Sequence, residues 1–377
     1  MSTAPGGETA ATQDRRDEPV LRVRDLTVSF SSEAGIVRAV RGVSYDLMPG
    51  RTLGIVGESG SGKTVTALAI MGLLPETARV GGSVLLKGRE LVGLDDDAMS
   101  GVRGRDIGMV FQDPLSALTP VLTIGDQLAE ALEAHGDLPR AAIWERSVQL
   151  LELVGLPDPP ARLKSYPHEL SGGMRQRVMI AIAIANRPSV IIADESTTAL
   201  DVTIQAQVLD VLRAAQRETG AAVVMITHDL GVLAGMADDV LVMYAGRPVE
   251  YGTVNEIFYR PTMPYTMGLL AAVPRPDLKK SSRLAPIEGN PPSLVALPPG
   301  CPFAPRCPLV IDRCHETEPP LATHSPGGHP AACVRAGEIE ERGLTSADVF
   351  PAPPDLPSAF AGVPRAERRA SGGSGAR

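Results

Sequence analysis

An α/β fold built on a buried, largely parallel sheet is predicted by three features of the sequence. Apolar runs of strand length, TLGIV at 52–56, SVIIA at 189–193, AVVMI at 222–226 and VLVMY at 240–244, lack the alternation of a half-exposed strand. Stretches with helical periodicity separate them. A glycine-rich loop, GESGSGKT at 57–64, links the first run to the helical VTALAIMGLL, the strand–loop–helix setting in which backbone N–H groups cradle phosphate.

At 377 residues and 44% hydrophobic content, the chain has room for one large domain and a smaller appendage. A formal net charge of −8 argues against a nucleic-acid surface, which needs clustered Lys and Arg to displace counterions. The longest apolar stretches, such as 65–74 and 178–185, fall short of the roughly 20 residues that span a bilayer. The opening MSTAPGGETAATQDRRDEP lacks the apolar run of a secretory signal. These features together predict a cytoplasmic protein that reaches a membrane only through partners.

Along the chain, residues 1–18 are small and polar and read as a disordered tail, and 19–260 form the main domain. Residues 115–170 carry helical patterns such as ERSVQLLELVGL without strong strand runs, so a helical insert is expected, continuing to about 185. VTIQAQVLDVLRAAQRETG places Ile204, Val208, Val211 and Leu212 on one helical face and ends at a glycine C-cap, Gly220. Residues 261–334 are Pro-rich and hold all four cysteines. The stretch 335–377, rich in Pro, Ala, Gly and Arg, reads as a disordered tail. No internal repeat is evident, so one nucleotide-binding unit is expected.

In the phosphate loop, Gly57, Gly60 and Gly62 let the backbone wrap closely around phosphate oxygens, with Glu58, Ser59 and Ser61 between them and Val65 in the helix that follows. Lys63 supplies a cation for the β and γ phosphates, and Thr64 a hydroxyl for Mg²⁺. Asp194 and Glu195 end the apolar run VIIA, at the mouth of a buried strand. Asp194 is expected to orient Mg²⁺ through its water and Glu195 to polarise the attacking water. A second phosphate-binding surface is expected where Ser171, Gly172 and Gly173 open the helix SGGMRQRVMIAIAIA, presenting bare N–H groups and the positive helix end. Two such surfaces on separate helices imply that each ATP is gripped across two copies of the domain. Gln112 and His228 follow strand-like runs, and each is placed to reach the γ phosphate or the metal; by position alone, both read equally as loop residues.

The combination of GESGSGKT, LSGGMRQRV and VIIADES resembles the ATP-binding cassette (ABC) family. That resemblance implies a P-loop NTPase of the ABC type with a helical subdomain at 115–185 and a small Cys-containing C-terminal region. It assigns Gln112 to Mg²⁺ and to the link with a transmembrane partner, and His228 to the γ phosphate. It puts Asp201, in TTALD, on a loop crossing the dimer interface; a helix N-cap is an equally sensible local role. It makes Phe30, in LTVSF, the aromatic that stacks on adenine, although a core phenylalanine fits the same pattern. One departure is Ser196, where the family usually has Pro after the catalytic Glu; this removes a φ restraint.

VFQDPLSALTP, ADESTTALDVTIQAQ, MYAGRPVEYG and PYTMGLLAAVPR are similar to one branch, the ATP-binding subunits of oligopeptide and dipeptide importers, some of which carry nickel. The branch implies an ATPase at the cytoplasmic face of the plasma membrane. Its partners would be a second ABC ATPase subunit (identical or homologous), two transmembrane permease subunits and an extracytoplasmic solute-binding protein. Import of nickel or another small solute, a soluble non-transport ABC ATPase and a non-hydrolysing regulatory subunit are the competing readings. Cys301, Cys307, Cys314 and Cys333 share one Pro-rich segment, which in a reducing compartment suggests metal ligation. An all-sulfur set suits a [4Fe–4S] cluster or a structural Zn²⁺. Paired CxxC knuckles are missing and the branch has a similar region that looks like an iron–sulfur site, so the cluster is preferred over zinc; four unliganded thiols are the third possibility.

Overall fold

The structure, a computed structural model, describes residues 18–33, 35–195, 202–273 and 287–351. Most of the expected N-terminal tail, and the stretch 352–377, lie outside the described residues.

The strands are β1 (Leu21–Ser32), β2 (Gly35–Leu47), β3 (Thr52–Val56), β4 (Ala78–Leu86), β5 (Arg89–Glu90), β6 (Ile107–Val110), β7 (Val190–Asp194), β8 (Ala222–Thr227), β9 (Asp239–Tyr244), β10 (Arg247–Thr253), β11 (Ala322–Thr323) and β12 (Pro330–Ala331). The main sheet runs β11-β12-β10-β9-β3-β8-β7-β6. Its central strands are parallel: β3 lies between β8 and β9, and β7 between β8 and β6. Every residue of β3, β7 and β8 is buried, which is why their sequences read as unbroken apolar runs.

A second, antiparallel sheet, β2-β1-β4-β5, covers the other side of the phosphate-loop helix Lys63–Ile70. Sequence patterning does not announce it. Its alternation is broken by register shifts between Val23 and Leu26 and between Val28 and Ser29, which put successive apolar residues out of phase.

The helical insert comprises Pro114–Ala117, Ile124–Glu133, Arg140–Leu153 and Pro159–Arg162, and leads to Gly172–Ala183. Leu128, Leu150, Leu151 and Val178 fill the space between these helices. Helix Val202–Thr219 buries Val208 and Leu212, half-buries Ile204 and Val211, and stops at Gly220 with φ of +68°.

The C-terminal region docks through an aromatic cluster, Tyr244, Tyr265 and Phe303, with ring centroids 4.5 to 5.4 Å apart. β12 extends the main sheet beyond β10. The fully buried Glu250 of β10 accepts bonds from the Thr262 and Met263 amides and the Thr262 hydroxyl, and bonds His329 Nε2 at 2.7 Å. Contrary to the expected tail beginning at 335, residues 336–341 and 346–349 are helical. Ile339, Val349 and Phe350 bury themselves in the main core, and the Phe350 ring lies close over Gly268. Three apolar anchors outweigh a composition that otherwise looks disordered.

Candidate functional site

β3 delivers the phosphate loop and Lys63–Ile70 leaves it, so the first-turn N–H groups of that helix, which have no intrahelical acceptor, face the loop. Gly62 caps the helix at φ of +99°, and a Cβ there would stand 2.5 Å from the Ala39 carbonyl oxygen, so glycine is required on both counts. Ser61 is buried with no hydrogen-bond partner for its hydroxyl, an arrangement that suits an anion arriving in the loop. Ser59 and Gly60 are exposed, whereas Val65 packs on the core of the antiparallel sheet.

Lys63 is 4% exposed and folds into the loop, its Nζ donating to the carbonyls of Gly57 (2.8 Å) and Glu58 (3.0 Å). Burial lowers its pKa, while Glu195, Asp194 and Glu58 oppose the shift. Thr64 donates its hydroxyl to Asp194 Oδ1 at 3.1 Å, which sets two hard oxygen donors side by side, as Mg²⁺ requires. Burial pushes the Asp194 carboxyl up; the Thr64 bond and Lys63 pull it back.

Glu195 is the hub. Lys63 Nζ stands 3.9 Å from one of its oxygens and His228 Nδ1 3.5 Å from the same one, while Gln112 Nε2 donates to the other at 3.2 Å. Its φ of +43° is a left-handed conformation that costs a non-glycine residue on the order of 1 kcal/mol. Gln112 and His228 are exposed, at the ends of β6 and β8. Lys63, Gln112 and His228 therefore converge, from the phosphate-loop helix and the ends of β6 and β8, on the carboxylate that follows β7.

Ser171 caps the helix Gly172–Ala183, accepting from the Met174 amide, and Ser171 and Gly172 are exposed. Among the described residues, no hydrogen bond or ion pair joins 171–173 to the phosphate loop. Gly173 packs against Ile204 so closely that a Cβ would come within 2.8 Å. Phe30 is half-buried on β1 against the core of the antiparallel sheet. Asp201 and Ser196 lie outside the described residues.

The four cysteines are free thiols around one small apolar pocket that Phe303 and Leu309 also line. Burial pushes Cys307 up to about 11 and Cys333 up to about 12, and raises Cys301. The donor set fits a soft metal centre, whose positive charge would offset that cost of forming thiolates. Among the described residues, no three His, Cys, Asp or Glu side chains are arranged to ligate one metal ion.

Two contacts escape sequence reasoning. Arg306, from the cysteine segment, forms a two-pronged bond with Glu58 of the phosphate loop, and the Glu58 amide donates to the Tyr265 hydroxyl at 2.8 Å. With 248 residues separating Arg306 from Glu58, no local signal could have paired them.

Residues 40–198 match the family described as ABC transporter, and 249–314 match the oligopeptide/dipeptide transporter, C-terminal region. The dipeptide transport ATP-binding protein DppD of Bacillus subtilis is 52% identical over 333 residues, covering 88% of this chain and 99% of DppD. The chain belongs to the ATP-binding cassette transporter family. The oligopeptide transport ATP-binding protein OppD of Mycobacterium tuberculosis is 57% identical over 333 residues, 88% of this chain and 54% of OppD. The chain thus spans about half the length of its mycobacterial relative. Among solved cassettes, the dimeric MJ0796 bound to ADP and Pi superposes with a TM-score of 0.56 at 28% identity, covering 62% of this chain and 98% of that one. The cbiO1 cassette of Clostridium perfringens, part of the transporter complex cbiONQ, gives 0.54 at 25%, with coverage of 65% and 92%.

Replacing Gly62→Ala tests the loop geometry, since it adds both the clash with Ala39 and the φ penalty. ATP affinity is expected to fall by at least about tenfold, measured by equilibrium binding, because even 1.4 kcal/mol of distortion is worth that factor.

Proposed function

We propose that this chain is the ATP-hydrolysing subunit of an importer for oligopeptides or dipeptides, acting through membrane-spanning permeases. The observation that carries the reading is the convergence of Lys63, Gln112 and His228 on Glu195, in a cassette whose C-terminal region matches that of oligopeptide/dipeptide transporters. The names of its relatives favour peptide over nickel as the transported solute.

In this mechanism, the phosphate loop from Gly57 to Val65 binds the triphosphate through backbone N–H groups and Lys63. Thr64, Asp194 and Gln112 are the residues that would hold Mg²⁺, which would supply positive charge against the charge developing on the transferred phosphoryl group. Glu195 accepts a proton from the attacking water, and His228 orients the γ phosphate. Phe30 supports the adenine. The Ser171-Gly172-Gly173 helix end meets the ATP of a second cassette, so closure requires a pair. The lysine now folded against Gly57 and Glu58 must turn from those carbonyls to the phosphates when nucleotide enters.

Beside Gln112, Phe111, Leu115 (59% exposed) and Val121 (77% exposed) present apolar surface, and a groove of about 530 Å³ lies between helices Ile124–Glu133 and Arg140–Leu153, lined in part by Trp144. This face of the helical insert suits a permease. No described helix is long and apolar enough to cross a membrane. A solute-binding protein would deliver peptide from outside. In this reading, the four cysteines would hold a structural [4Fe–4S] cluster, with Zn²⁺ as the alternative, which would pin the C-terminal segment.

Three measurements test these readings. Tagged chain recovered from detergent-solubilised membranes should bring two multi-span permeases and a solute-binding protein, identified by mass spectrometry; recovery of only soluble DNA or ribosomal factors would replace transport with a soluble role. Glu195→Gln should retain ATP binding and the ATP-dependent dimer while losing turnover by about a hundredfold or more; near-normal phosphate release would remove Glu195 from the base role. Anaerobically purified chain should contain about four irons and four labile sulfides. Metal analysis finding neither iron nor zinc near one site per chain would leave the cysteines as packing residues.

A further inference from the structure

The cysteine segment touches the phosphate loop through one side chain. Arg306, on the turn between Cys301 and Cys307, is 5% exposed, and its two terminal nitrogens bond the two Glu58 carboxylate oxygens at 2.7 and 2.8 Å. The guanidinium is fixed on its other sides as well. It bonds the Tyr244 hydroxyl at 3.2 Å and the Glu288 carbonyl at 3.0 Å, and lies 5.9 Å from the ring centroids of Tyr244 and Phe303. The turn itself is closed by the Arg306 amide on the Phe303 carbonyl and the Cys307 amide on the Ala304 carbonyl. Such a fork is pre-oriented for a carboxylate.

A carboxylate in a phosphate loop has the wrong sign for its ligand. Glu58 is close enough to act electrostatically on Lys63, and its own carbonyl accepts from that lysine, so an unanswered charge at Glu58 would oppose a polyphosphate in the same loop. The Arg306 fork answers that charge directly, one terminal nitrogen on each Glu58 oxygen. The Glu58 side chain is thereby turned toward the C-terminal segment, and Tyr265 fixes the amide of the same residue.

We propose that Arg306 is a positioning residue for nucleotide binding: by neutralising and aiming Glu58 it sets the phosphate loop, so that the C-terminal segment tunes the affinity of the cassette for ATP and ADP. This rests on the reading of the site as an ATP site. The effect belongs to the α and β phosphates, which the loop encircles, and not to the hydrolytic step around Glu195.

The test is a mutant cycle on the full-length chain, with KM and kcat for ATP and the equilibrium Kd for ADP measured in parent, Arg306→Gln, Glu58→Gln and the double variant. Arg306→Gln is expected to raise KM and the ADP Kd about tenfold, equivalent to 1.4 kcal/mol, with kcat changed less than about twofold. Glu58→Gln, which alters the loop itself, sets its own reference KM and ADP Kd, and the double variant should lie within about twofold of those Glu58→Gln values, because the charge that Arg306 answers is gone. A purely architectural arginine would lower the melting temperature and leave the double variant no better than Arg306→Gln; that result, or an unchanged KM in folded Arg306→Gln, overturns the proposal. Should Arg306→Gln not fold, Arg306→Lys, which keeps the cation and loses the fork, serves instead. A KM between the parent value and tenfold above it is expected, and one equal to the parent overturns the proposal. A parent that binds no ATP would remove the site reading and this proposal with it, whereas a parent that binds and variants that do not respond would remove the proposal alone.

Discussion

The phosphate loop has to keep its backbone N–H groups convergent before any anion arrives, and the rest of the fold is arranged to meet that constraint. β3 enters from the middle of the parallel sheet, held by β8 on one edge and β9 on the other. The β9–β10 turn clamps the loop through the Gly246 amide on the Ser61 carbonyl, and the Arg41 amide of β2 in turn bonds the Gly246 carbonyl at 2.7 Å. Gly62 lies under the Ala39 carbonyl of the same strand. A loop of small residues with little side-chain packing of its own is thus rigid because two sheets and a turn close on it. The desolvation of Lys63 is the cost of that enclosure, offset by three nearby carboxylates.

Two separate cores follow from this arrangement. One lies between the antiparallel sheet, the helix Lys63–Ile70 and one face of the parallel sheet; the other joins the opposite face to the helical insert and the C-terminal region. β7 contributes to both, with Val190 and Ile192 in the first and Ile191 and Ala193 in the second. Asp194 and Glu195 therefore stand at the end of a strand gripped on both faces. A left-handed φ at Glu195 is tolerable there because the residues before it cannot relax. The insert, by contrast, packs on the second core only.

The parallel strands were legible because complete burial writes itself as an uninterrupted apolar run, and the phosphate loop because its chemistry is local. Lys63, Thr64, Asp194, Glu195, Gln112 and His228 could be read from strand ends and motif context, and the structure brings them together. The antiparallel sheet was not legible, since bulges in β1 scramble its period of two. Residues 336–350 were hidden for a different reason: Ile339, Val349 and Phe350 are too few and too widely spaced to form a pattern, although each finds a place in an existing core. The contact of Arg306 with Glu58 is invisible to any window, because 248 residues separate the two. Local sequence encodes strands and loops; it does not encode which distant charge a half-buried carboxylate will meet.

The Glu250–His329 contact has a consequence of another kind, in proton linkage. Burial by itself would lower the His329 pKa, yet Glu250 and, more weakly, Glu256 and Glu340 raise it above the ordinary value. A histidine whose pKa rises on folding binds its proton more tightly in the docked state than in the free chain. Its contribution is complete below the ordinary histidine value of about 6.5 and is lost as pH climbs through the raised value. Because β12 reaches the main sheet beside this pair, attachment of the C-terminal region is strongest on the acidic side and loosens toward alkaline pH. The grip of that region on the cassette is, in this sense, a readout of proton activity in the compartment that holds it.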